Sequence, residues 1–337
     1  MKLDALLDKY SDIFDNRLHQ YMDYKLKEDG HSDEFYDAMG HIPLAAGKRV
    51  RPTLAALSCE AVGGRPDEAM ELALAVELLH NASLIHDDII DGDIKRRNVP
   101  TVHTKYGIPI AITVGDALVG EAFYMIAMLP EVRMRRYGVN VVKELFVSFT
   151  LAIRGLYSGE AQDIDFVHRF DVMEEDYMTM ISKKTSSMHR LATRGGAILG
   201  GGHIEEIEAL SEFGIDFGMM FQIKDDLLGL IGSEELLGKT VGIDIRGKKR
   251  TLYMVHALQN VSGEDKSVLN ELLRRKYRPE DVDIERKIFE RAGSIDYCEK
   301  KIREIKDRAV SHLEILPESE AKQSLLDMAE WSIVRES

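Results

Sequence analysis

Cysteine is nearly missing from this chain: Cys59 and Cys298 stand far apart in 337 residues, in no metal-ligand spacing. That scarcity excludes a disulfide framework and points to a reducing, cytoplasmic setting. Proline is scarce too, at 8 residues, and no stretch shows the clear period-2 alternation of a half-buried strand. A surplus of positive charge is also lacking. With 58 acidic residues against 44 Lys and Arg, the formal net charge is −14, which argues against a nucleic-acid binder. The most apolar window, "DALVGEAFYMIAML" at 116–129, is interrupted by Asp116 and Glu121. It reads as a buried core helix rather than a membrane span. The N-terminal "MKLDALLDKYSD" has no signal-peptide apolar core.

What is present is Ala, Leu, Glu, Met and Lys in runs with helical spacing, so the expected fold class is all-α. Helices are predicted over 67–91, 138–165, 173–200, 203–231 and 249–260, with a two-proline loop at 96–109 and amphipathic helices beyond 261. No linker, low-complexity tract or short repeat marks a boundary. One helical domain over 1–337 is the simplest expectation.

Two places break the apolar pattern with acid. "LIHDDIIDGDIKRR" (84–97) follows an apolar helical run. At 3.6 residues per turn His80, Ser83, Leu84, Asp87 and Asp91 share one stripe, with Asp88 to the side. Two carboxylates one turn apart repel unless a cation lies between them. Mg²⁺, which is often shared between carboxylates and substrate phosphates, is the natural candidate. A solvated helix end is an equally simple account of this segment alone. The second place is "FGMMFQIKDDLLGLIG" (217–232), where Asp225 and Asp226 interrupt an apolar helix and Gln222 lies one turn before Asp225. Charges in such a setting call for partners, and two acid pairs could face each other across a cavity, as in metal-holding helical bundles.

Four basic clusters accompany the acids: "GKRVRP" (47–52) with Lys48, Arg49 and Arg51; "KRR" (95–97); "SKKTSS" (182–187) with Lys183, Lys184 and Thr185; and "GKTVGIDIRGKKRT" (238–251) with Lys239, Lys248, Lys249 and Arg250. Each alone reads as solvated surface. Together they suit an anionic ligand, since arginine clamps phosphate bidentately and lysine acts as a mobile point charge.

In this order the motifs resemble the trans-polyprenyl diphosphate synthases of the isoprenoid-synthase family. "ELLHNASLIHDDIID", "RRNVPTVHTKYG", "GDALVGEAF" and "GGAILGG" add to the likeness, which runs from about 40 to 255. The resemblance implies a helical bundle around a central cavity and a homodimer. It implies head-to-tail condensation of isopentenyl diphosphate with an allylic diphosphate. Three Mg²⁺ ions are implied, held by Asp87 and Asp91 with Asp88 in support, and by Asp225. Lys48, Arg51, His80 and Arg97 match the positions that hold isopentenyl diphosphate. Arg96, Lys184, Lys239 and Lys249 match those that grip the allylic diphosphate, and Thr185 and Gln222 line its pocket. Released diphosphate would take the final proton, leaving His86 to pack beside the aspartates or to support them.

Two departures stand out. The second acidic motif ends in Gly229 instead of Asp, and Asn98 replaces the glycine of Arg-Arg-Gly; Asn tolerates left-handed backbone. Product length is expected to be set beneath the first aspartates, where Ser83 and Ala82 replace the aromatic floor of short-product enzymes. The next candidates are Leu79 and Leu78, with Phe123 and Tyr124 on the facing helix. Geranylgeranyl diphosphate is then the expected product and geranylfarnesyl diphosphate the next. Two other readings compete. A metal phosphohydrolase of the HD type would use His80, His86-Asp87 and Asp225 but leaves the basic clusters unexplained. A non-catalytic subunit of a heteromeric synthase would be expected to have lost an acid site.

Overall fold

The described residues are predominantly helical. The computed structural model describes residues 3–28, 33–45, 47–129, 139–232 and 242–335. Before the first acidic motif lie α1 (Leu3–Glu28), α2 (Asp33–His41), α3 (Val50–Ala61), a 3₁₀ turn (Pro66–Ala69) and α4 (Met70–Asp91). The segment 96–109, predicted as a loop, is more ordered than that. It holds one strand of an antiparallel pair, β1 (Lys95–Arg96) with β2 (Val99–Pro100), and then α5 (Val102–Tyr106). Next come α6 (Ile108–Ala127), α7 (Val139–Phe166), α8 (Glu174–Ile181), a π-helical turn (Ser182–Ser186), α9 (Ser187–Gly200) and α10 (Ile204–Ile231). The remainder is α11 (Ile243–Arg246), α12 (Leu252–Asn260), α13 (Gly263–Arg274), α14 (Asp281–Arg291), α15 (Ser294–His312), a 3₁₀ turn (Leu313–Ile315) and α16 (Glu320–Val334).

The chain forms two compact units, interleaved in sequence. The first comprises Met1–Thr150, Met188–Gly214 and His312–Met328; the second comprises Leu151–Ser187, Ile215–Ser311 and Ala329–Ser337.

In the first unit α4 is central and lies against α3 and α6. A 3₁₀ turn opening on Pro66 leads into it, and Gly92, with φ 69°, ends it. Its residues from Leu72 to Leu79 are all buried, so this stretch is surrounded by protein on every side. Glu77 and Asn81 are polar residues inside that surround and must find partners there. α6 differs from the fully buried helix expected of its sequence. It buries Ala111, Val114, Leu118, Ala122 and Ile126 but exposes Ile108, Ile112 and Tyr124. It is long and apolar enough to cross a membrane, with 39% of its most apolar window buried in the protein.

In the second unit α12 lies against α8 and α14, and α14 also meets α11 and α13. Tyr177, Tyr253 and Phe289 are buried there, the last two with ring centroids 4.9 Å apart. The helix predicted over 173–200 is interrupted by the π turn, which carries Lys183, Lys184 and Thr185. Such turns gather at functional positions. α7 reaches this turn so closely that a Cβ on Gly159 would lie 2.3 Å from the Lys184 backbone nitrogen. Only glycine fits.

Candidate active site

The first acidic set occupies the end of α4. Asp87 and Asp91 are half-buried and Asp88 fully buried, and the last turn contains no basic residue. A helix C-terminus already carries partial negative charge, so carboxylates placed there are unfavourable without a cation nearby. Asp88 has one: its Oδ1 accepts from Arg96 Nε at 2.7 Å and lies 2.6 Å from Nη2. Burial still pushes its carboxyl up to about 6, against the pull of Arg96. Its Oδ2 is buried with no hydrogen-bond partner among the described residues. His86 Nε2 sits 3.6 Å from Asp116, in space that a side chain on Gly115 would fill.

The arginine pair lies on the hairpin. Arg96 pairs with Val99, and the turn residues Arg97 and Asn98 have φ of 50° and 63°. A two-residue type I′ turn requires positive φ at both central positions, and Asn98 supplies one of them where the family pattern has glycine. Arg97 donates from Nη1 to Ile42 O (3.0 Å) and Asn81 Oδ1 (3.3 Å), with Nη2 3.7 Å from Glu77.

Glu77, which sequence reasoning passed over, organises this corner. It accepts from Arg49 Nη1 at 2.8 Å and Asn81 Nδ2 at 3.2 Å. Burial raises its carboxyl, but Arg49, Arg97 and Arg51 outweigh burial and hold it below the ordinary carboxylate range. Arg49 is therefore not the phosphate cation its cluster suggested. Its other donors go to Asp15 Oδ1 (2.7 Å) and Pro43 O (2.8 Å), and it is buried. In the same cluster Lys48 is exposed and Arg51 largely buried. His80 lies beside them, and burial with nearby Arg51 and Arg97 pushes its imidazole well below its ordinary value. It is a neutral ring, with Nδ1 buried and unbonded among the described residues. Of the expected floor residues, Leu78, Leu79, Ala82 and Ser83 are buried, and Phe123 packs on Phe146 and Phe149. Tyr124 points elsewhere: it is 40% exposed, with the Lys25 ammonium over its ring.

The second set belongs to the second unit. Gln222 lies one turn before Asp225 but bonds the neighbouring carboxylate. Its amide donates to Asp226 Oδ1 at 2.8 Å, while Tyr177 donates to Oδ2 at 2.7 Å. That fixes the amide the other way round for Thr185, whose hydroxyl donates to Gln222 Oε1 at 2.7 Å. Burial pushes the Asp226 carboxyl up to about 8, and Asp244 and Asp225 add to it. Asp244, also missed in the sequence, lies beside Gly229, with Oδ2 3.4 Å from where a Cβ there would sit. Asp225 is the more open member and is bonded by Arg335.

Lys184 and Lys249 share one carboxylate, Asp163, at 2.8 and 3.0 Å, and Lys184 also meets Glu160 at 2.5 Å. Burial raises the Asp163 carboxyl but the two lysines overcome it, so the group stays below its ordinary range. Asp163 and Glu160 had no signal in the sequence beyond their place on one helix. Lys183 bonds Gln162, while Lys248 and Arg250 are spent on backbone carbonyls. Those last two therefore leave the list of phosphate cations. Lys239 lies outside the described residues.

Among the described residues no three His, Cys, Asp or Glu side chains gather into a metal cage. A Mg²⁺ site needs only one or two carboxylates completed by substrate phosphate and water. Asp87 with Asp91, and Asp225, fit that donor set.

Comparison with known proteins gives the family. Residues 32–291 match the Polyprenyl synthetase family. The chain is 39% identical over 339 residues to a short chain isoprenyl diphosphate synthase of Methanothermobacter thermautotrophicus, covering 100% of this chain and 99% of that protein. It superimposes on the geranylgeranyl pyrophosphate synthetase of Pyrococcus horikoshii with a TM-score of 0.87 and 35% identity, covering 100% of both chains. For the geranylgeranyl pyrophosphate synthase of Corynebacterium glutamicum, solved with isoprenyl diphosphate and magnesium, the TM-score is 0.89 at 25% identity, covering 98% and 99%. The fold is that of the all-α isoprenoid synthases, and the chain belongs to the Polyprenyl synthetase family of prenyltransferases.

Proposed function

We propose that the chain condenses isopentenyl diphosphate head-to-tail with an allylic diphosphate, giving geranylgeranyl diphosphate. The observation that carries this reading is the end of α4, where Asp87 and Asp91 stand one turn apart with no basic residue in the last turn. Mg²⁺ held there and at Asp225, three ions in all, would supply Lewis-acid neutralisation of the departing diphosphate.

The chain's own residues do the rest. Arg96, anchored by Asp88, and Lys184 and Lys249, gathered by Asp163, bind the allylic diphosphate with Lys239 and stabilise its charge as the C–O bond opens. Lys48, Arg51, neutral His80 and Arg97 hold isopentenyl diphosphate. Thr185, whose hydroxyl donates to Gln222, lines the allylic pocket together with that glutamine. Diphosphate, once released, takes the final proton. Both compact units form one synthase domain in this reading. The exposed Ile108, Ile112 and Tyr124 of α6 form the face of a cytoplasmic homodimer, with no membrane span and no nucleic-acid partner.

The test is direct. Purified protein with Mg²⁺, labelled isopentenyl diphosphate and each allylic primer should yield a C20 product. Ala82→Phe should shorten it, because the buried floor beneath Asp87 gains an aromatic ring. An absence of any prenyl product would overturn the reading, and an unchanged product in Ala82→Phe would move the floor elsewhere.

A further inference from the structure

The second acidic motif has a partner that lies 110 residues away in sequence. Arg335 follows the last turn of α16, its backbone nitrogen bonded to Trp331 O. Its Nη2 donates to Asp225 Oδ1 at 2.5 Å and to Phe221 O at 3.0 Å, and its Nε to Ser332 O at 3.3 Å. The guanidinium carbon lies 3.7 Å from the centroid of the Phe221 ring and 5.7 Å from that of Trp331. The arginine side chain is 5% exposed, whereas the Asp225 side chain is 36% exposed.

This is the geometry of a fixed cation, not of a surface pair. A solvated arginine reaching for an exposed carboxylate would keep its rotamer freedom and contribute little. Here two carbonyls and an aromatic face hold the guanidinium regardless of Asp225, so its fork is aimed before any ligand arrives. The bond occupies Oδ1 and leaves the exposed side of the carboxylate to the solvent. Asp226 is already tied to Tyr177 and Gln222, so Arg335 does for Asp225 what those two do for its neighbour.

We infer that Arg335 is a positioning residue for Asp225. It holds one carboxylate oxygen, sets the direction of the other toward Mg²⁺, and offsets the repulsion among Asp225, Asp226 and Asp244 while no metal is bound. The inference rests on the proposed function, in which Asp225 is a metal ligand. Hydrogen-bond partners of ligating carboxylates typically govern metal affinity by about 10- to 100-fold.

The experiment is a calorimetric titration of Mg²⁺ and inorganic pyrophosphate into the full chain, which reads binding without turnover. Arg335→Gln should weaken Mg²⁺-dependent pyrophosphate binding by about 10- to 100-fold. Arg335→Lys, which keeps the charge without the fork, should recover part of the loss and serves where Arg335→Gln unfolds. Asp225→Asn should weaken binding on its own, and adding Arg335→Gln to it should cost nothing more, because the arginine acts through that carboxylate. Binding by Arg335→Gln that is unchanged or tighter than wild type would overturn the inference, as would losses that add in the double variant. Wild-type protein that binds no pyrophosphate with Mg²⁺ would instead overturn the proposed function, and this inference with it.

Discussion

The two units hold their cations in opposite ways. In the first, Arg49 and Arg97 converge on Glu77, a carboxylate 2% exposed and buried inside α4. Both arginines have positive φ, a conformation that costs stability wherever a side chain is present. In the second, Lys184 and Lys249 converge on Asp163 without positive φ and with side chains 17% and 16% exposed. A guanidinium fork with several fixed acceptors is a rigid socket; an ammonium on a four-carbon stem is a swivelling point charge. In the proposed function the contrast suits two different anions. One would be a diphosphate that stays intact and must be oriented; the other would depart, and its growing charge would have to be followed.

The largest effect expected from this contrast lies where neither device can compensate. Asp87→Ala should cut the rate of prenyl transfer by at least about a thousandfold, since a lost metal ligand removes transition-state neutralisation. Helix content by circular dichroism should stay intact. Near-normal initial rates would remove Asp87 from the metal site.

Next comes folding stability. Glu77→Ala strips Arg49, whose side chain is 2% exposed, of its buried carboxylate and should cost about 3–5 kcal/mol. Asp163→Ala leaves Lys184 on Glu160 (2.5 Å) and lets Lys249, 16% exposed, turn toward water, so it should cost less, about 1 kcal/mol. Urea unfolding of both variants compares them directly. Equal losses would mean that the two clusters are built alike after all.

Kinetics should split along the same line. Arg97→Ala removes one charge-assisted contact, of about 1.5–3 kcal/mol, and should raise KM for isopentenyl diphosphate roughly tenfold or more with a smaller change for the allylic substrate. Lys249→Ala should do the reverse. Parallel changes in both constants would dissolve the assignment of one socket to each anion.

How much of this was legible beforehand depends on distance along the chain. The helices followed from apolar periodicity, and the acidic stripe of Asp87 and Asp91 followed from the turn length alone. The basic clusters were visible as clusters, yet the partner that each member meets was not. Arg49, Lys248 and Arg250 look like Lys48 and Lys249 in sequence, and only the fold turns the first three inward onto Glu77, Asp15 and backbone carbonyls. The hairpin at 95–100 escaped notice because Arg97-Asn98 is not the Asn-Gly or Asp-Gly that announces a type I′ turn. Glu77, Asp163 and Arg335 were invisible for a common reason. Periodicity says which face of a helix a residue occupies, but the residue it meets there comes from a segment dozens of positions away.

The smallest effect expected is a slope. Glu77 and Asp163 both have carboxyls held below the ordinary range in the folded protein. In the unfolded chain these carboxylates therefore take up protons at a higher pH than in the folded one. Stability from both is fully present above the ordinary carboxylate range and falls away as the pH drops through it toward the folded values. Glu77→Gln keeps an acceptor for Arg49 while removing the proton-binding site, so it should flatten the acid side of a stability-versus-pH curve. Asp163→Asn should flatten it less, because both of its lysines are 16–17% exposed whereas Arg49, which bonds Glu77, is 2% exposed. Urea midpoints collected from neutral pH down through the carboxylate range measure both slopes on one axis. If Asp163→Asn flattened the curve as much as Glu77→Gln, solvent access would not be what separates the lysine pair from the arginine socket.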